Sequence, residues 1–253
     1  MAQGSIDPIS QFEIKTFAEL SLGGWDISIT NATIYMALAA VLIIGFFWMT
    51  SSRAALVPGR MQSVGEMSYE FVANMIRNIA GEEGLKYFAF IFTLFFFIFA
   101  ANLIGMFPYF FTTTSHIVVT GVLALAVFLL VTVIGIVKNG AGFLRLFVPS
   151  GVPWPILFIL VPIEIISYLA RPVTLSLRLF ANMLAGHIML KLLVAFAAAL
   201  ATYSAGTMFL APLPFLMAIA ITGLEFLVAF LQAFVFAILT CVYLSDALHP
   251  GHH

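Results

Sequence analysis

Residues 156–200 read ILFILVPIEIISYLARPVTLSLRLFANMLAGHIMLKLLVAFAAAL, a run that no Pro-Gly pair interrupts. At 1.5 Å per residue this stretch makes a helix about 70 Å long, more than twice the roughly 30 Å of a bilayer's hydrocarbon core. It does not stand upright as one simple span. It lies steeply tilted or bends at Pro162 and Pro172, and either way Glu164, Arg171, Arg178, His187 and Lys191 sit in or beside the apolar layer. The last apolar stretch, Pro212 to Leu248, has the same excess length and carries Glu225 and Gln232. Together residues 156–248 are expected to form a long tilted helical hairpin, joined between Tyr203 and Pro214.

Outward from this hairpin the chain remains a membrane sequence. Of 253 residues 63% are apolar and 8% charged, against about 25% charged in a soluble domain. Apolar stretches near Thr33–Thr50, Tyr87–Phe107 and His116–Val137 give three further spans. Between the first two, Val64, Met67, Phe71, Val72, Met75, Ile76 and Ile79 recur at helical spacing among charges, which predicts an amphipathic surface helix over 61–86. The expected fold is thus an all-α integral membrane protein of about five membrane helices plus that surface helix. It forms a single membrane domain over 1–253, with residues 1–29 as an extramembrane N-terminal segment. Thr112–Ser115 is expected as a short neutral loop.

Lysine and arginine mark cytoplasmic loops. Arg53, Arg60, Arg77 and Lys86 follow the first span and Lys138 and Arg145 the third, so the N-terminus is expected outside and the C-terminus in the cytoplasm. The segment 1–29 lacks the basic start of a secretory signal, and no mitochondrial presequence is visible, which favours a bacterial plasma membrane. A net charge of -1 offers no basic face for nucleic acid. Cys241, the single cysteine, permits no intrachain disulfide and reads as a packing residue. The terminal His252 and His253 read as a frayed tail or a tag remnant rather than a metal site.

An ionisable side chain in lipid is expensive and is by default a functional candidate. At about 100° per residue, Arg171 and Arg178 nearly superpose, and Glu164 and Asn182 fall within roughly 40° of Arg178. Glu225 and Gln232, seven apart, make a second stripe able to face the first. His187 points about opposite Arg178, into a different cavity. Arg178 is either a buried ion-pair partner of Glu164 or Glu225, or a permanent cation acting on a carboxylate brought beside it. Glu225 and His187 either hydrogen bond to each other as structural glue or relay protons. Gln232, Asn182 and Ser167 do not titrate and position water or bond between helices. Arg171, Lys191, Asp246 and His249 are expected as snorkelling or interface residues, and His116 as a surface residue.

The segments Leu175-Ser-Leu-Arg-Leu-Phe-Ala-Asn-Met-Leu-Ala-Gly-His187 and Leu224-Glu-Phe-Leu-Val-Ala-Phe-Leu-Gln-Ala-Phe-Val-Phe236 resemble subunit a of F-type ATP synthases. Asn102-Leu-Ile-Gly-Met-Phe-Pro108 with its threonines is similar to the same family, and the resemblance covers roughly Leu85 to the C-terminus. It implies a proton-translocating stator subunit beside a c-subunit ring, with peripheral-stalk b-type subunits and the rest of the complex as partners. Arg178 would face the ring and keep two offset half-channels apart, with Gln232 adjoining it. His187, Glu225 and Asn182 would line the outer half-channel, Glu164 and Ser167 the inner one. Many bacterial members carry an acid at the position of His187 and a histidine at that of Glu225. The transposed arrangement here is similar to mitochondrial members, which fits two residues that touch and leaves open which one passes the proton.

No Walker pattern is present, so phosphate chemistry is expected in partner subunits, with no catalytic residue, metal or cofactor in this chain. A stand-alone proton-coupled transporter or channel is the alternative. The absence of an internal repeat disfavours it, and an intramembrane enzyme lacks an H-E-x-x-H pattern.

Overall fold

The computed structural model describes residues 14–19, 21–22, 25–26, 28–52, 55, 57–107, 110–148 and 153–249. His252, His253, Arg53, residues 1–13 of the N-terminal segment and residues 149–152 lie outside the described residues.

Two short antiparallel ladders precede the helices. Strand β1 (Thr16–Ala18) pairs with β4 (Ile29–Thr30), and β2 (Ser21–Leu22) with β3 (Trp25–Asp26). Thr30 then caps α1 (Asn31–Ser51), its Oγ1 accepting from the Thr33 amide at 3.4 Å. Next come α2 (Arg60–Gly84), α3 (Phe88–Gly105), α4 (Ile117–Asn139), α5 (Trp154–Tyr203), a one-turn α6 (Ala205–Met208) and α7 (Pro212–Leu248). Gly81, at φ +69°, takes a left-handed conformation that kinks α2. Gly140, at φ +53°, ends α4 where its sequence reaches Asn139.

Among the described residues five helical stretches are long and apolar enough to cross a membrane. Their outward residues, such as Ile44, Trp48 and Phe158, are exposed because lipid, not water, is the solvent they suit. α5 runs unbroken through Pro162 and Pro172 for 50 residues, about 75 Å. The hairpin turn is closed at α6 by a reciprocal cap between Ser204 and Thr207.

α7 is the hub, packing against α2, α3, α4 and α5. Lipid supplies no hydrophobic force between helices, so close approach must come from small residues. Ala229, Ala233, Ala237 and Cys241, each one turn on from the last, are fully buried and let neighbouring helices in. Cys241 is therefore a packing residue. Phe95 and Ile98 of α3, Val127 and Val131 of α4, and Leu175 and Leu179 of α5 share one buried core with Phe236 of α7. The amphipathic α2 buries Val72, Met75 and Ile76 against this core, while Val64 and Met67 at its start stay exposed. α1 rests on α3 through Ala39 against Ala101 and Ile104.

Candidate functional site

Because α5 is continuous, the angles read from its sequence hold in three dimensions. Leu175, Leu179 and Met183 form its buried face and Arg178 and Asn182 its open one. Arg178 makes no hydrogen bond or ion pair among the described residues, so the pairing with Glu164 or Glu225 considered above is not what the structure holds. Asn182, one turn on, donates from Nδ2 to Oε1 of Gln232 at 2.9 Å. Gln232 is 4% exposed and its Nε2 is buried with no protein partner. The two polar stripes meet here.

His187 lies on the opposite, buried side, as its 180° offset requires. Its Nδ1 is 2.9 Å from Glu225 Oε1 and 2.8 Å from the Met183 carbonyl. Its Nε2 is 2.8 Å from the Gly105 carbonyl and 3.2 Å from Thr112 Oγ1. A carboxylate and two carbonyls thus converge on a ring that offers at most two N–H donors. The carboxylate stands within ion-pair distance, yet its Oε1 has no aligned hydrogen bond. Such an arrangement can hold a proton on imidazole and hand it to an oxygen already beside it, with little movement of either side chain.

Two glycines make this contact possible. A Cβ at Gly186 would overlap Glu225 Oε1 and lie 3.1 Å from its Cδ, so the carboxylate fits only against bare backbone. A Cβ at Gly105 would lie 2.6 Å from Thr112 Cγ2, so the turn after α3 closes onto His187 for the same reason. Asn102, wholly buried on α3, donates from Nδ2 to the Ala229 carbonyl at 3.3 Å, between the levels of Glu225 and Gln232 on α7. Its Oδ1 is buried without a partner.

Several expectations are corrected. Thr112–Ser115, expected as a short neutral loop, is an interior connection: all four residues are buried, and Thr112 touches the imidazole. His116 is half-buried with its ring stacked on Phe111 at 4.8 Å, not a plain surface residue. Arg171 does not snorkel. Its Nη1 donates to Asp246 Oδ2 at 2.8 Å, with the guanidinium 4.7 Å from the Tyr243 ring and 5.3 Å from that of Tyr168. His249 lies 4.0 Å from Glu83, which also pairs with Lys138. Glu164 is half-buried and Ser167 exposed, and neither side chain hydrogen bonds within the described residues. Both stand many turns from the His187–Glu225 contact.

Gly105, Thr112, Gly186, Asn102, Arg171 and Asp246 were not singled out as site residues from sequence. Asn102 and the hydroxyl run were legible as polar residues beside an apolar span. A backbone carbonyl such as that of Gly105 leaves no trace in side-chain chemistry.

A family model described as ATP synthase A chain matches residues 33–245. The chain is 62% identical over 249 residues to ATP synthase subunit a of Hyphomonas neptunium, covering 98% of each chain. It is 53% identical over 252 residues to ATP synthase subunit a of Mesorhizobium japonicum, covering all of both chains. To the protein of that name from Rhizobium leguminosarum it is 55% identical over 249 residues, 98% of this chain and all of the relative.

Proposed function

Because the chain belongs to the ATP synthase A chain family, and so is a multi-pass membrane-sector subunit serving proton transport in an ATP synthase complex, we propose that it works through two offset half-channels parted by Arg178. The observation that carries this reading is the opposition of two polar faces on one helix. Arg178 is open and unpaired among the described residues on one side of α5, and the His187–Glu225 pair is sealed on the other.

Arg178 stays protonated at any accessible pH, so it conducts nothing itself. A carboxylate of the c-subunit ring brought beside it loses its proton to the adjoining path and forms a transient ion pair. Protons enter from outside along Asn182, Glu225 and His187 and leave toward the cytoplasm past Ser167 and Glu164, with Gln232 adjoining the Arg178 face through its bond to Asn182, one turn on from Arg178. Each charge crossing 100 mV releases about 2.3 kcal/mol, which biases the direction in which the ring turns. The long exposed faces of α5 and α7 supply the surface for that ring, and b-type stalk subunits hold the chain against the torque. The chain is a non-catalytic single membrane domain of the bacterial plasma membrane, N-terminus outside and C-terminus cytoplasmic.

The test compares wild type with Arg178→Ala in vesicles holding the whole complex, reading acid-driven ATP synthesis and passive proton flux. Coupled synthesis is expected to vanish while the complex still assembles. Synthesis near the wild-type rate would overturn the reading.

A further inference from the structure

Arg171 and Arg178 occupy the same angular position on α5, seven residues and about 10.5 Å apart. Both are permanent cations, yet the structure treats them differently. Arg178 is exposed and makes no ion pair among the described residues. Arg171 is withdrawn toward α7: its side chain is 18% exposed, that of its partner Asp246 13%, and the two meet at 2.8 Å. The aromatic faces of Tyr168 and Tyr243 flank the guanidinium. Tyr168 is itself held by its OH, 2.6 Å from Thr132 Oγ1 of α4. Three helices thus converge to keep one cation turned away from the face that the other occupies.

We propose that Asp246 is a charge-masking, positioning residue for proton translocation: by neutralising and retracting Arg171 it leaves Arg178 as the one uncompensated guanidinium that a ring carboxylate meets on this face of α5. This rests on the role assigned to Arg178. A second exposed cation two turns away would offer a passing carboxylate a competing ion pair and hold it off the site where it exchanges protons. Coulomb attraction between unit charges over such distances is large wherever water is scarce. Masking removes that trap while the pair still joins α5 to α7; the rings help to seat the guanidinium but carry no counter-charge, so neutralisation depends on Asp246.

The experiment uses the whole complex in vesicles, with ATP synthesis and ATP-driven proton pumping normalised to the amount of assembled complex. Asp246→Asn, which unmasks Arg171, is expected to lower turnover per complex at least about tenfold, a barrier change of about 1.4 kcal/mol. Adding Arg171→Gln, which removes the unmasked charge while leaving the ion pair broken, is expected to restore turnover to within about threefold of wild type, or about 0.7 kcal/mol. Arg171→Lys with Asp246→Asn presents the free cation on a more flexible stem and serves as the second unmasked form if Asp246→Asn accumulates poorly. It is expected to fail like the single variant. Unchanged turnover per complex in both unmasked forms would overturn the proposal. So would a double neutral variant as impaired as Asp246→Asn, because the pair would then act through its bond rather than its charge. Arg178→Ala in the same vesicles separates the two claims: if it retains coupling, the role of Arg178 itself fails, whatever the Asp246 variants do.

Discussion

The two sides of α5 around residues 178–187 obey opposite rules. On the inner side, His187 and Glu225 are 7% and 5% exposed and the imidazole has an acceptor at each ring nitrogen. On the outer side, Arg178 stands exposed without an ion pair among the described residues, and Asn182 is tied only to Gln232. A polar group in an apolar medium must find partners within the protein or wait for one from outside. The inner side has done the first and the outer side is built for the second. Satisfaction of polar groups therefore separates a path through the subunit from a surface offered to a neighbour.

The strongest way to break the inner side is Glu225→Gln, which removes the carboxylate from the imidazole. Loss of a positioned proton-transfer group typically costs about 10²–10⁴-fold, so ATP-driven proton pumping per assembled complex is expected to fall by at least about a hundredfold. Pumping within twofold of wild type would show the pair to be glue rather than relay. A smaller effect follows from Gly186→Ala, whose methyl would displace the Glu225 carboxylate. Overpacking costs about 1–3 kcal/mol of stability, and displacing the relay carboxylate is expected to lower turnover about fivefold or more, a barrier rise of about 1 kcal/mol. Pairing it with Glu225→Asp, one methylene shorter, should recover part of that loss, and an additive loss in the double variant would refute the steric account. On the outer side Asn182→Ala removes one hydrogen bond at an open site. The net value of such a bond is about 0.5–1.5 kcal/mol, so pumping should drop only about two- to tenfold. A loss as deep as that of Glu225→Gln would erase the contrast between the two sides.

Much of this contrast was legible before any coordinates. The 180° offset of His187 from Arg178 is a property of helical periodicity, and it survived because Pro162 and Pro172 leave α5 unbroken. The transposed His and Glu implied two residues in contact, and they stand 2.9 Å apart. The burial of the threonine run was not legible, because hydroxyls report polarity without saying which neighbour will satisfy it. Thr112 and Ser115 are buried by bonding to the carbonyls of Gly105 and Thr112. The pairing of Arg171 with Asp246 was not legible for a related reason: 75 residues separate the two along the chain.

The sequence by itself determined the solvent of this protein, the number of its spans, the excess length of its last two helices, and the angular order of polar residues on each. Those follow from hydropathy and from a repeat of 3.6 residues per turn, which are local. Only the tertiary structure decided which of two superposed arginines is neutralised and which stays open, and that a glycine carbonyl completes the surroundings of His187. Periodicity fixes the angle of a side chain about its own helix axis. The rotation and register of that helix against its neighbours come from the small-residue seam of α7 and the close approaches at Gly105 and Gly186, which are properties of the packed bundle.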